Sequence, residues 1–483
     1  MRKILNILLS GLLVLAASSC SEDIMDDINE NVNDPTDVAT KLIITDVITS
    51  TAFSITGSDL AFYSSVYIEH NVGIWNQSYN AEIRSGEPIS STTYNNSWNS
   101  LYQNLANLKL IINKCSTGGS EEGNYHTLGI AQVLNAYNLA FLTDLWGDAP
   151  WSEALQPGVI FTPRLDKQED IYAVIFQQLD SAIVNLGKET VFPSLGAQDF
   201  IYGGDKDRWL QFAYGLKARY TMRLSHRTPA YADVITYANQ SFVSADQQCE
   251  FNYNASTTFS PFYRFFTDRD YFGASQSLKD KLDERNDPRA NEFWKKHPNA
   301  GALEFAPNGN PEQIQGRYGI SALSTPTAPT YLLSYHEIEF LKAEAYVRLG
   351  GAANLALAET ALRNAVSAAF QKVNVGLTAD QATAYFDAEV LPKFQADPLK
   401  EVMNQKYIAF FEEEAVEAYN DYRRLKAMGD NVIVLANPKN NTQFPLRFTY
   451  GASDVTTNEN VRDAYGDGTY VYTENVWWAG GTR

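Results

Sequence analysis

Two irregular stretches of the sequence combine flat aromatic side chains with hydrogen-bonding groups. The first is Trp75-Asn76-Gln77-Ser78-Tyr79-Asn80, and the second runs from Tyr263 to Phe272. Sugar rings can stack on aromatic faces while their hydroxyls take polar partners, so a concavity of this composition would bind a hydroxyl-rich ligand. The predicted ligand-binding residues are Trp75, Asn76, Tyr79, Arg84, Tyr263, Arg264, Asp268, Tyr271, Phe272 and Tyr318, with Arg269 and Arg317 beside them. Packing of each aromatic within its own loop is the alternative that the sequence leaves open.

The sequence contains no recognisable catalytic or metal-binding motif. The five histidines, His70, His126, His226, His297 and His336, lack metal-ligand spacing such as H-E-x-x-H, and neither G-x-S-x-G nor a phosphate-binding loop is present. His336 is predicted at the surface. We therefore predict a binding protein, not an enzyme, with no catalytic residues, no metal and no cofactor. A calcium site of Asp and Asn side chains near residues 454–467 is a weaker alternative.

An acidic run, Glu412-Glu413-Glu414, is followed by Glu417 and Asp421 in the last long predicted helix. General acid–base catalysis needs a positioned carboxylate whose pKa suits the reaction. With 57 acidic residues in the chain, neighbouring carboxylates arise by chance. We therefore predict that these residues form a solvated helix face or pair with Arg423 and Arg424.

The elements that would position the binding residues are predicted to be paired helices. Apolar residues recur every three to four positions, as on an amphipathic helix. The stretches are 98–112, 128–145, 171–186, 209–224, 338–349, 355–369 and 403–425. Asp205, Ser334 and Asp397 are predicted N-caps, because their oxygens can accept from free backbone N–H groups. Ser334 and Glu337 are predicted to form a capping box, in which the Glu337 carboxylate reaches back to a second backbone N–H. The unit 334–370 is close to the period of ~34 residues of tetratricopeptide repeats.

Three segments lack this periodicity. Residues 57–92 and 226–333 are predicted to be irregular insertions on the ligand side, and residues 430–483 a tail of loop and strand. Trp98 and Trp209 lie on apolar stripes and are predicted to be core residues, and Trp477 and Trp478 to pack on the helices. The sequence thus predicts a single mainly α domain over residues 36–483.

The N-terminus has the order of a bacterial lipoprotein signal. Met1-Arg2-Lys3 is basic, residues 4–17 are almost wholly apolar, and Ala17-Ser18-Ser19 places small residues before Cys20. We predict that residues 1–19 are removed, that Cys20 is lipidated, and that acidic residues 20–35 form a flexible tether. An ordinary signal peptide with a chance cysteine is the alternative.

The net charge of the chain argues against one class of binding partner, and its few cysteines argue against a zinc or redox site. The formal net charge is −19, so the basic surface that nucleic-acid binding requires is missing. Besides Cys20 only Cys115 and Cys249 remain, without C-x-x-C spacing. These two are predicted to be separate buried thiols, although one disulfide is the alternative.

Several motifs in order give the chain a family resemblance. They are Asn33-Asp34-Pro35-Thr36, Leu145-Trp146-Gly147-Asp148-Ala149-Pro150, Asp207-Arg208-Trp209, Asp287-Pro288-Arg289, Glu339-Phe340-Leu341-Lys342-Ala343-Glu344-Ala345, Gln405-Lys406-Tyr407, Asp421-Tyr422-Arg423-Arg424, Phe444-Pro445-Leu446-Arg447-Phe448 and Val476-Trp477-Trp478. Together with the lipoprotein Cys20, this set resembles the SusD/RagB family of outer-membrane nutrient-binding lipoproteins of Bacteroidota.

The resemblance implies a right-handed array of about four degenerate tetratricopeptide-like helix pairs, with the insertions on one side. It implies binding of an oligosaccharide or another small nutrient at the cell surface. It also implies delivery of that ligand to a SusC-like TonB-dependent transporter in the outer membrane. Ser21-Glu22-Asp23 resembles the acidic signal that exports such lipoproteins to the surface. A lipid-anchored glycoside hydrolase and a helical-repeat scaffold or adhesin for a protein or peptide are the alternatives.

Overall fold

The computed structural model describes residues 38–483, which are mainly helical. Cys20, the predicted signal sequence and the predicted tether lie outside the described residues. The helices are α1 (Thr40–Ser50), α2 (Asp59–Tyr67), α3 (Asn76–Glu82), α4 (Asn95–Cys115), α5 (Tyr125–Trp146), α6 (Gln168–Leu186), α7 (Lys206–Arg223), α8 (Tyr231–Ala238), α9 (Pro261–Arg269), α10 (Gln276–Glu284), α11 (Tyr335–Leu349), α12 (Ala352–Phe370), α13 (Ala379–Tyr385), α14 (Leu391–Ala396), α15 (Pro398–Ala409), α16 (Ala415–Met428), α17 (Asn440–Gln443), α18 (Ala452–Thr457) and α19 (Glu459–Tyr465).

The strands are short and pair in antiparallel two-stranded ladders. The strands are β1 (Asn71–Gly73), β2 (Ala149–Pro150), β3 (Leu165–Asp166), β4 (Cys249–Phe251), β5 (Phe272–Ala274), β6 (Trp294–Lys295), β7 (Ile320–Ser321) and β8 (Thr330–Leu333). They pair as β1 with β5, β2 with β3, β4 with β8 and β6 with β7. These ladders connect the irregular segments to one another rather than forming a separate layer.

Consecutive long helices pack side by side, α4 on α5, α5 on α6, α6 on α7, α7 on α8 and α11 on α12. Helix α5 is buried at every position from Thr127 to Trp146. A helix with no solvent-exposed face lies inside a protein, and α5 is accordingly enclosed by its neighbours, with polar residues such as Asn138 and Asp144 buried as well. Among residues 38–483, no helix is both long enough and apolar enough to cross a membrane.

The predicted helix caps are confirmed. The Asp205 carboxylate accepts from the backbone N–H groups of Asp207 and Arg208, and the Asp397 carboxylate accepts from that of Lys400. The Ser334 hydroxyl accepts from the Glu337 backbone N–H at 3.2 Å. The Glu337 carboxylate, however, binds Arg219 instead of returning to Ser334. A buried guanidinium needs a charged partner more than the helix end needs a second cap.

The segments predicted to be irregular contain helices. Residues 57–92 hold α2 and α3, residues 226–333 hold α8 and α9, and the tail from 430 holds α17, α18 and α19 with 3₁₀ turns instead of strands. Residues 226–333 also hold α10, which confirms the short helix that the sequence predicts before Asp287-Pro288-Arg289. Helix α2 is buried at eight of its nine positions, so it has no polar face and no amphipathic period. The other inserted helices have four to nine residues, which is too short for a period to stand out.

The helix predicted to run from residue 397 to residue 425 is two helices. Helix α15 ends at Ala409 and α16 begins at Ala415. Glu412, in the turn between them, has a φ of +74°, a conformation that non-glycine residues rarely adopt. The apolar spacing continues through this turn because both helices bury the same side against the core.

The acidic run in this turn is buried, so the prediction of a solvated face is wrong. Glu413 pairs with Lys372 at 2.7 Å, and Glu414 accepts from the Ser334 hydroxyl and from His336 at 2.5 Å. His336, predicted at the surface, is buried in this contact. The partners of these carboxylates are distant in sequence, so no local pattern reveals them. Pairing with them offsets the free-energy cost of burying the charges.

Other acidic residues of this region also pair within the core. Glu417 binds Arg223, and Asp421 binds Arg424 at 3.0 Å and Lys406 at 2.7 Å. The predicted pairing with Arg424 is thus confirmed. The guanidinium of Arg423 instead donates to backbone carbonyls and to an amide.

Glu412→Gln should stabilise the protein in alkaline solution. Burial, reinforced by the neighbouring Glu413 carboxylate, raises the pKa of Glu412 to about 8 from an ordinary value of 4.5. The native state therefore holds this proton more tightly than the unfolded chain. The resulting stability is complete below pH 4.5 and is lost as the pH rises through 8.

Glutamine cannot ionise and avoids this loss. At pH 8.5 the variant should be more stable than the parent by ~2–4 kcal/mol, and at pH 5 the difference should be much smaller. Urea denaturation at the two pH values measures it. Glu189→Gln at an exposed position is the control. A Glu412→Gln effect that does not vary with pH would contradict the argument.

The C-terminal tail completes the core, as predicted for Trp478. Trp478 and Phe448 are fully buried, and Phe448 stacks on Tyr94 with ring centroids 4.0 Å apart. Trp98 and Trp209 are buried as predicted. Cys115 and Cys249 are separate buried thiols, which confirms the sequence expectation.

Candidate functional site

The β1–β5 ladder brings the two aromatic stretches together. Asn71 pairs with Ala274, Val72 with Gly273 and Gly73 with Phe272. The pairing continues one residue further, where the Ile74 backbone N–H donates to the Tyr271 carbonyl at 2.8 Å. The chain therefore places Trp75 and Tyr271, about 200 residues apart in sequence, at the same end of one ladder.

Trp75, Asn76 and Tyr271 form what we call the Trp75 surface. The Asn76 amide donates to the Tyr271 hydroxyl at 3.1 Å. Trp75 remains 36% exposed, whereas Trp98, Trp146, Trp209 and Trp478 are each 1% exposed or less. Asn76 has a φ of +47°, in the left-handed region that asparagine tolerates better than most residues. This local conformation turns the chain from β1 into α3 directly after Trp75.

A buried carboxylate beneath this surface fixes the chain that carries it. Glu82 accepts from the Gly73 backbone N–H at 3.4 Å and from the Gly309 backbone N–H at 2.5 Å. The Asn437 amide donates to Glu82 as well, at 3.3 Å. Burial raises the pKa of Glu82 to about 7, although Arg84 and these N–H donors oppose the shift. Glu82 thereby connects β1, the 309 turn and the start of the tail.

Tyr318 supports the ladder from one side. It is buried in a small cluster with Val72, Ile74 and Ala306, and its hydroxyl accepts from the Glu312 backbone N–H at 3.2 Å. A side chain on Gly273 would lie 2.9 Å from the Tyr318 Cβ, so glycine is required for this close approach. Tyr318 is thus a supporting residue whose ring contacts the ladder.

Three polar residues near the Trp75 surface were not predicted from the sequence. Asp270 ends α9 with a φ of +50° and accepts from the Gly316 backbone N–H at 3.1 Å. His297 lies 3.4 Å from the Asp270 carboxylate, and Gln315 donates to the Arg269 carbonyl at 2.7 Å. Burial raises the pKa of Asp270, and His297 opposes this shift. Their separation along the chain explains why no motif unites them.

Two of the predicted ligand-binding residues, Arg84 and Phe272, are buried inside the protein. The Arg84 guanidinium donates to the carbonyls of Ala81 and Glu82 and to the Asn440 side chain at 2.8 Å. Phe272 is 1% exposed and lies among Phe62, Phe262 and Phe265. We therefore assign both a structural role.

The remaining predicted residues lie near the Trp75 surface without joining it. Tyr263, Arg264 and Asp268 lie on α9, where Arg264 and Asp268 form an exposed pair 3.6 Å apart. Tyr263 is stacked on Phe259 with ring centroids 6.2 Å apart. Tyr79 is half-buried on α3. Arg317 pairs with Glu304 and Glu312, and Arg269 ends α9.

The Trp75 surface can bind but carries no catalytic group. The exposed indole offers a flat apolar face, and the exposed Asn76 amide offers hydrogen bonds to hydroxyls. Tyr271, which is only 9% exposed, holds that amide in place through its hydroxyl. Trp75, Asn76 and Tyr271 include neither a carboxylate pair nor an activated nucleophile. The chemistry that they support is therefore reversible recognition of a polar ligand with a flat apolar face.

The chain is similar to known proteins along most of its length. The sequence profile of a SusD-like family described as starch-binding and associating with the outer membrane matches residues 32–451. A SusD/RagB family protein of Bacteroides thetaiotaomicron is 46% identical, with a TM-score of 0.85 over 92% of this chain and 100% of that one. None of the curated proteins compared with the chain matches it.

More distant solved structures share the fold. A chitin-binding SusD homologue of Flavobacterium johnsoniae is 20% identical, with a TM-score of 0.71 over 92% of this chain and 99% of that one. A protein described as chitin-binding is 23% identical, also with a TM-score of 0.71, over 92% of this chain and 100% of that one. At these identities the similarity concerns the fold alone.

Proposed function

Since the chain belongs to the SusD/RagB family, we propose that it is a non-catalytic surface lipoprotein that captures an oligosaccharide. The Trp75 surface is the observation that carries this proposal, because an exposed indole beside an exposed amide, which Tyr271 holds in place, suits a sugar ring. The family description, starch binding in association with the outer membrane, supports the same ligand class.

Delivery is the second part of the proposal. The captured oligosaccharide passes to a SusC-like TonB-dependent transporter, and a lipid on Cys20 holds the protein at the outer membrane. The acidic tether after Cys20 gives the domain slack to move over the transporter. Recovery of the chain together with a large outer-membrane barrel after mild detergent extraction is the corresponding measurement.

Trp75→Ala should weaken oligosaccharide binding about tenfold or more, because the stacking face is lost. The melting temperature should fall by less than about 4 °C, since Trp75 is partly exposed. Calorimetric titration of the full-length chain with starch- and chitin-derived oligosaccharides measures both the ligand class and the loss. Phe161→Ala, at an aromatic residue that is 78% exposed elsewhere, is the matched control.

The same panel of oligosaccharides distinguishes this proposal from the alternative functions. Release of reducing ends from a bound glycan would identify a glycoside hydrolase. Failure to bind any glycan would favour a scaffold or adhesin. Unchanged affinity together with a large loss of stability in Trp75→Ala would show that Trp75 is a packing residue.

A further inference from the structure

A second cleft lies at the C-terminal half of α16, away from the Trp75 surface. It has a volume of about 500 Å³ and lies between α16, residues 440–446 and the tail residues 472–480. This volume is in the range of ~300–1,000 Å³ found for small-molecule sites. We call it the basic cleft, since Arg423, Lys426 and His226 line it together with Asn440, Tyr472 and Asn475.

The charge of the basic cleft is opposite to that of the protein. The chain has a formal net charge of −19, yet none of the described residues lining the cleft is an aspartate or glutamate. Lys426 makes no ion pair within residues 38–483, and its ammonium lies 5.3 Å from the Phe444 ring centroid. A cation without a carboxylate partner creates a region of positive electrostatic potential on an otherwise acidic protein. This potential attracts an anionic ligand.

Arg423, like Arg447, is buried without an ion pair among residues 38–483. It is 2% exposed, and its guanidinium donates to the backbone carbonyls of Leu446 at 2.9 Å and Asp144 at 2.8 Å, and to the Asn420 amide oxygen. Its Nε has no hydrogen-bond partner within the described chain. Arg219, Arg289 and Arg424, in contrast, pair directly with carboxylates. The hydrogen-bond acceptors of Arg423 are therefore neutral, and the Asp144 carboxylate, which lies 3.3 Å from Arg223, is a negative charge that Arg223 and Arg423 share.

Positive charge also lies behind the wall of the basic cleft. Arg84 donates to the Asn440 side-chain oxygen at 2.8 Å. Glu69 accepts from the Asn440 amide at 3.2 Å, but its carboxylate also accepts from the backbone N–H groups of Ala436 and Asn437. The Glu69 carboxylate behind Asn440 is therefore already engaged within the protein.

The remaining lining groups suit a sugar. Asn441, Thr442 and Asn475 supply neutral hydrogen-bonding groups, and Phe444 and Tyr472 supply aromatic rings. The Tyr472 hydroxyl is buried and has no partner among residues 38–483. Buried hydroxyls usually have a partner, so this one is free to bind a ligand. We propose that the basic cleft is a second binding site, for a sugar that carries an anionic group.

Calorimetric titration of the full-length chain with glucuronate, glucose 6-sulfate, glucose and sodium sulfate tests the assignment. Glucuronate or glucose 6-sulfate should bind at least tenfold more tightly than glucose, and less tightly as salt is added. The tighter of the two identifies the anionic group. Absence of binding by both, or equal affinity for glucose, overturns the proposal. Sodium sulfate binding as tightly as the anionic sugars overturns the sugar assignment.

Two substitutions test whether the ligand binds in the basic cleft. Lys426→Gln should weaken binding about tenfold, and Tyr472→Phe several-fold with an unchanged melting temperature, because the hydroxyl it removes has no protein partner. Lys41→Gln on exposed α1 is the matched control. Full affinity in both test variants overturns the assignment. Trp75→Ala should leave this binding intact, so failure here is distinguishable from failure of the oligosaccharide proposal.

Discussion

Arg289→Met should lower the free energy of unfolding by about 3–5 kcal/mol, which is typical when one member of a buried ion pair is removed. The side chains of Arg289 and Asp287 are 1% and 0% exposed, and their closest N–O distance is 2.6 Å. Arg289 also donates to Gln405 at 2.7 Å, while Asp287 accepts from the Tyr385 hydroxyl at 3.0 Å. Methionine has a similar size but leaves the Asp287 carboxylate buried without a cation.

Chemical denaturation at neutral pH measures this loss. Arg363→Met is the matched control, because Arg363 pairs with Asp387 at 2.8 Å while both side chains stay largely solvated, at 35% and 56% exposure. Exposed pairs contribute ~0–1 kcal/mol, so the control should be nearly neutral. Equal effects of the two substitutions would mean that the Asp287–Arg289 pair has no special structural role.

Gly73→Ala should reduce oligosaccharide binding at least thirtyfold, more than the loss of Trp75 itself. A Cβ at this position would lie 1.8 Å from the Ser78 carbonyl oxygen and 2.3 Å from its carbon. Both are backbone atoms of α3, so the side chain cannot be accommodated by rotating a neighbour. The start of α3 must move, and Trp75 and Asn76 move with it. A displacement of about 1 Å is enough to spoil a positioned site.

The same calorimetric panel measures the effect, with the melting temperature recorded beside it. Gly187→Ala is the control, since a Cβ there would meet its nearest atoms at 3.6 Å, an ordinary contact distance. Retention of full affinity by Gly73→Ala would show that the binding surface does not depend on the β1-to-α3 turn.

The sequence was sufficient for the helix pairs and for the two halves of the candidate site. Periodic apolar residues predict α4 to α7 correctly, and Asp205 and Asp397 mark real helix starts. Trp75 and Tyr271 were both predicted from composition alone, and the β1–β5 ladder joins them. Composition was informative here because aromatic residues beside amides are uncommon in loops that serve only as connections.

The sequence does not reveal which residues, distant along the chain, contact each other in the folded protein. Arg84 looked like a ligand residue, but Asn440, 356 positions away, engages it in the interior. Glu412, Glu413 and Glu414 were predicted to be solvated because their partners are distant in sequence. Lys372 and His336 bind Glu413 and Glu414, and the Ser321 hydroxyl donates to Glu412 at 2.6 Å. Burial of a charged residue is decided by such long-range pairings, and a local pattern contains none of them.

The position of Glu82 has a consequence for the order in which the protein folds. This one carboxylate accepts from Gly73, Gly309 and Asn437, which span most of the chain from its first strand to its tail. The surface around Trp75 is therefore assembled late, after the chain has emerged at least as far as residue 437. Until then, the turn that carries Trp75 lacks the carboxylate contacts that fix it, so the proposed binding surface forms only together with the rest of the fold.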